Sequence, residues 1–90
     1  MTTNELFTEA SILVRNLDKN PTDNELLRLY GLYKQATVGD CNEVNKPSLF
    51  DIKGKMKYEW WQREKGKDKE NAMKEYTEFV VDLMTKYNKS

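Results

Sequence analysis

The run Tyr30-Gly31-Leu32-Tyr33-Lys34-Gln35-Ala36-Thr37-Val38-Gly39-Asp40 fixes the periodicity on which the reading of the whole chain rests. Tyr30, Tyr33 and Lys34 stand at i, i+3 and i+4, neighbours on one helical turn. Gly39 then supplies a stop signal. Two flat rings and a cation side by side suit a ligand that is both a heteroaromatic base and a phosphate. Upstream, Thr22 or Asp23 can cap the same helix, and Glu25 in its first turn favours the positive end of the dipole. A helix over residues 23–38 follows. On its wheel Leu26, Leu29, Tyr33 and Ala36 cluster as the expected core face, while Leu27, Tyr30 and Lys34 share one edge.

Outward from this helix, three more are expected. Over residues 4–17, Leu6, Ala10, Leu13 and Leu17 form a stripe that Phe7 and Val14 widen on one side, and residues 18–21 end it. Residues 39–47 read as the longest turn-like stretch. A shorter helix over residues 52–65 places Lys53 and Lys57 one turn apart, and Gly66 closes it. The last, over residues 69–87, is capped by Asp68 and turns Ala72, Met73, Tyr76, Phe79, Val80, Leu83 and Tyr87 inward. Trp60 and Trp61 are adjacent, so only one of them is expected to face inward. No segment alternates with a period of two, so no sheet is expected. The predicted fold class is all-α, a four-helix bundle, with residues 1–90 as one domain.

Composition narrows the function. Lys and Arg number 15, as do Asp and Glu, so the chain has no overall field to hold DNA or RNA. The charge is unevenly spread: Lys46, Lys53, Lys55 and Lys57 face a single acid, Asp51, between residues 46 and 57. A basic patch on a neutral chain suits a small anion. With no histidine, the usual metal sites and Ser-His or Cys-His pairs are ruled out, and Cys41, the only cysteine, reads as an incidental loop thiol. No apolar run is long enough for a signal peptide or a membrane span, so a soluble, cytoplasmic monomer without stable membrane insertion is expected.

The opening run also resembles the signature of the acyl-CoA-binding protein family. Two further segments, Lys53-Gly54-Lys55-Met56-Lys57-Tyr58-Glu59-Trp60-Trp61 and Glu70-Asn71-Ala72-Met73-Lys74-Glu75-Tyr76, match that family's next blocks in order and separation. The resemblance implies its four-helix fold, the binding, buffering and transport of medium- to long-chain acyl-CoA esters, and no catalysis. It implies no cofactor beyond the long-chain acyl-CoA ligand, with acyl-CoA-using enzymes as possible partners and no nucleic acid. By the same resemblance Tyr30, Gly31, Leu32, Tyr33 and Lys34 form the central ligand-binding segment, with Tyr30 and Lys34 gripping the nucleotide end. Lys53 and Lys57 correspond to two contacting lysines and Tyr76 to a contacting tyrosine. Arg15 stands where relatives commonly carry lysine.

Read as chemistry, such a ligand joins a multiply charged head to an apolar tail. Arg15, Lys34, Lys53 and Lys57 are the cations expected at the head; Leu27, Phe7, Met56 and the ring of Tyr76 are the expected apolar contacts. Tyr58 stands where the family usually has tryptophan, and Trp60 where a small residue is common. These departures predict altered packing around the third helix. The competing class is a helical interaction module that docks an acidic partner. An enzyme acting on acyl-CoA ranks third, because it would want a nucleophile beside a base.

Overall fold

Helix starts in this chain are written into its caps. Thr2 and Glu5, and again Thr22 and Glu25, form reciprocal capping boxes in which the threonine hydroxyl accepts from the glutamate N–H and the carboxylate accepts from the threonine N–H. Asp51 accepts from the Gly54 N–H at 2.9 Å and Asp68 from the Asn71 N–H at 2.7 Å. Each cap satisfies a donor that the first turn leaves open, at about 1 kcal/mol apiece.

The resulting structure, a computed structural model, describes residues 1–88; the last two residues of the expected domain lie outside them. Its helices are α1 (Thr3–Leu13), α2 (Asp23–Thr37), α3 (Ile52–Gln62) and α4 (Lys69–Tyr87), with 3-10 turns at Val14–Asn16 and Glu43–Asn45. There is no strand among the described residues. α4 has the expected limits. α1 changes to a 3-10 turn before residue 17, and α3 gives way after Gln62 to turns that end on Gly66, at φ 94°. Gly39, at φ 96°, ends α2 in the left-handed conformation that glycine adopts without strain.

α4 is the central helix, with α1 and α2 packed on it, and α3 packs on α2. The core joins Phe7 and Ala10 of α1, Leu29, Leu32 and Ala36 of α2, and Ala72, Tyr76, Val80 and Leu83 of α4, with Val14 and Leu17 packed against it. Leu6 and Leu13, expected in the α1 stripe, are instead 42% and 39% exposed. The buried stripe is rotated by about one residue to Phe7, Ala10, Val14 and Leu17, the set that faces α4. On α2, Leu26 and Tyr33 also lie at the surface, and Leu32 and Gln35 take their place inside.

A polar tie closes the end of α2. The Gln35 amide donates to Asp40 Oδ1 at 2.8 Å and to the Lys67 carbonyl at 2.7 Å, while the same Asp40 oxygen accepts from the Gly66 N–H. These bonds hold the Asp40 carboxyl below its usual range, the Gly66 N–H contributing most. Trp61 is the inward-facing tryptophan, and its indole N–H donates to the Gly39 carbonyl at 2.8 Å. The start of the loop ahead of α3 is therefore tied both to α3, through Trp61, and to the turn that follows it, through Gly66.

Candidate ligand-binding surface

α2 and α3 are parallel neighbours, and the approach between them builds the candidate site. A Cβ on Gly31 would stand 2.5 Å from the Trp60 carbonyl oxygen, closer than such atoms come, so only glycine permits this approach. Around it the two helices pair in register. Lys57 Nζ of α3 sits 5.3 Å from the centroid of the Tyr30 ring of α2. One turn further along both helices the roles swap, and Lys34 Nζ of α2 sits 5.1 Å from the centroid of the Trp61 ring of α3. Two cation–π rungs hold the lysines against rings without neutralising them.

Toward the start of both helices the surface turns apolar. A groove of about 310 Å³ is lined by Leu26, Leu27 and Met56, with Lys53, Lys57 and Asp23 at its rim. Leu26 is 48% exposed and Met56 43%, and Ile52 beyond them is exposed as well. These side chains wall a solvent-facing trough. The fold is flat, with principal extents of 43 × 28 × 16 Å.

On the other side of α2, Tyr33 stacks on Phe7 with centroids 5.5 Å apart, and Tyr76 meets both rings, at 5.0 Å from Phe7 and 5.8 Å from Tyr33. Tyr76 is buried, and burial first, then the neighbouring Tyr33, pushes its phenol up to about 12, against the opposing pull of Arg15. At neutral pH it is a protonated donor that makes no hydrogen bond to a described residue. Arg15 is close enough to act on it electrostatically, although it lies on the 3-10 turn after α1.

The residues singled out from the sequence thus fall into layers. Tyr30 with Lys57 and Leu27 with Lys53 lie on the α3 side of α2, and Tyr33 with Tyr76 and Arg15 on its other side. Lys34 joins the α3 side through Trp61. Gly31 and Leu32 lie beneath the surface: Gly31 is buried against α3, and Leu32 is 1% exposed, so both act from below by positioning their neighbours. Phe7, expected as a groove residue, is 5% exposed and serves as the seat of Tyr33. Sequence reasoning missed Leu26 as a groove wall and Trp61 as the seat of Lys34. The constant offset of 27 between Tyr30 and Lys57 and between Lys34 and Trp61 was available, but only to a reader who knew α2 and α3 to be parallel.

A second hollow of about 330 Å³ lies on the other side of α3, under the loop, and mixes Lys46, Lys55 and Lys65 with Glu43 and Glu59. It contains none of the expected site residues. Cys41 is buried on its wall near Tyr58, whose hydroxyl donates to the Asn42 carbonyl at 3.3 Å. Burial, and the nearby Cys41 thiol next, raise the Tyr58 phenol above its usual range. Among the described residues no three His, Cys, Asp or Glu side chains gather as metal ligands, and no helix is long and apolar enough to cross a membrane.

Comparison with known proteins identifies relatives of this chain and of its fold. The sequence pattern of the family described as "Acyl CoA binding protein" matches residues 4–80. The chain is 51% identical over 83 residues to the acyl-CoA-binding protein homolog of Drosophila melanogaster, covering 92% of this chain and 95% of that one. It is 48% identical over 84 residues to the acyl-CoA-binding protein of Saccharomyces cerevisiae, covering 93% and 95%. Among solved structures, the crystal structure of Oryza sativa acyl-CoA-binding protein 2 superposes with a TM-score of 0.88 at 35% identity, over 94% of this chain and 93% of that one. The solution structure of the yeast acyl coenzyme A binding protein gives 0.73 at 46% identity, over 93% and 96%. Similarity of this extent, joined to four helices and a basic aromatic band beside an apolar groove, places the chain in the acyl-CoA-binding protein family.

Proposed function

We propose that this chain binds acyl-CoA esters of medium to long chain, one molecule at a time, keeps them in solution and delivers them to enzymes that consume them. It acts as a monomer in the cytoplasm and performs no chemistry on its cargo. The observation that carries this reading is the junction on one α2–α3 face of two cation–π rungs with an apolar groove. Lys34, Lys57 and Lys53 supply charge to the phosphates, with Arg15 and the Tyr76 hydroxyl on the far side of α2. Tyr30 and Tyr33 offer rings to the adenine, and Leu26, Leu27 and Met56 cover the first part of the acyl chain.

Energetics explain why both ends are needed. Each methylene taken from water contributes roughly 0.8 kcal/mol, so a long tail supplies on the order of 10 kcal/mol before ordering costs. Exposed lysines alone gain far less from a phosphate in water. The ester should therefore bind much more tightly than either fragment. Calorimetry with palmitoyl-CoA, free CoA and palmitate tests this, and comparable affinity for all three would refute the two-ended site.

A further inference from the structure

The loop between α2 and α3 carries a feature that the ligand groove does not use. Residues 48–51 form a turn closed by the Asp51 N–H on the Ser48 carbonyl at 3.0 Å. Its two central side chains project into solvent: Leu49 is 74% exposed and Phe50 93%, and Ile52 follows at 72%. Three large apolar residues in four positions, left exposed by the described residues, are a patch that a lone domain ordinarily avoids. Around them Lys46, Lys53 and Lys55 are exposed. The sole acid between residues 46 and 57, Asp51, turns its carboxylate to the Gly54 N–H as the α3 cap.

We propose that this turn is a docking tip for anionic lipid bilayers, with Phe50 and Leu49 entering the interface and the flanking lysines resting among acidic headgroups. An apolar wedge with exposed lysines on both sides of it along the chain has the two signals that reversible attachment requires. Its shape selects the occupant. A projecting turn presents two or three side chains, far short of the roughly 800 Å² per partner of a stable protein interface, whereas a fluid interface closes around it. Ile52 and Met56 continue from the turn to the groove, so docking brings the groove's open end to the surface where amphiphiles reside.

Sedimentation with vesicles, without any acyl-CoA, tests the docking tip independently of the proposed cargo. The protein should bind phosphatidylcholine vesicles containing about 30 mole per cent phosphatidylserine, bind pure phosphatidylcholine weakly, and dissociate as salt is raised. The double variant Leu49→Ser/Phe50→Ser should lose about tenfold or more in partitioning, with its circular dichroism and its vesicle-free affinity for palmitoyl-CoA unchanged. Lys46→Gln/Lys55→Gln should weaken binding to the anionic vesicles alone. Equal binding of wild type to the two vesicle types, undiminished binding of the serine variant, or no vesicle binding at all would overturn the proposal. The last result would be the one expected of a tip built for an acidic protein.

Discussion

Lysines at two places in this molecule are stabilised in opposite ways. Lys67 is held by the carboxylates of Glu64 and Glu75, and Lys86 donates to Glu25 Oε2 at 2.9 Å, so their charges are spent inside the structure. Lys34 and Lys57 instead rest over the faces of Trp61 and Tyr30, and no carboxylate of the described residues pairs with either within 4 Å. A carboxylate cancels a cation, whereas a ring steadies it and leaves it able to attract an anion. The first arrangement ties elements of the fold together; the second stores positive potential on a face.

The strongest way to break this contrast is to separate the helices that make the second arrangement. Gly31→Ala forces a methyl group against the backbone carbonyl of Trp60, where neither helix has a flexible side chain to move aside. It should destabilise the protein by about 2 kcal/mol or more in urea unfolding and weaken ligand binding as well. Lys34→Ala and Lys57→Ala come next. Each should cost more than about 1 kcal/mol in affinity for palmitoyl-CoA by calorimetry, with an unchanged unfolding midpoint.

Lys67→Ala sharpens the contrast from the other side. Its partly exposed pairs should be worth about 1 kcal/mol of stability or less, and the affinity for the ester should not move. The gentlest test is pH. The Tyr87 hydroxyl, then Lys86 and the Thr22 N–H, lower the Glu25 carboxyl from 4.5 to about 2. A carboxyl depressed on folding contributes fully above its unfolded value, and the contribution fades as pH falls from 4.5 through about 2. Glu25→Gln should flatten that part of the stability profile, and an unaltered acid limb would show that the network contributes nothing.

The same contrast explains what the sequence could and could not reveal. α4 was legible to its limits because seven apolar residues fall at helical spacing behind an aspartate cap. The face of α1 was not, since Leu6, Phe7, Ala10, Leu13, Val14 and Leu17 cover more of the wheel than one neighbour can bury. Periodicity finds the stripe; the position of α4 decides which edge is covered. Leu26 and Tyr33 are the instructive misreadings. Both looked like core because they are large and correctly spaced, and both are exposed on the sides of α2 read as the ligand surface. A side chain that belongs inside by pattern but stays outside in the fold is what a surface awaiting an apolar guest requires. Gly31 and Gln35 were illegible for another reason: their roles depend on a carbonyl of α3 and on a loop 32 residues away.

The shallowness of the fold has a bearing on how quickly cargo is exchanged. If the ester lies along the α2–α3 face as proposed, a fold only 16 Å in its shortest extent has it depart by peeling from an open trough, with no door to swing first. Residence time is then governed by adhesion along the strip, and each carbon added to the tail should lengthen the stay without slowing arrival.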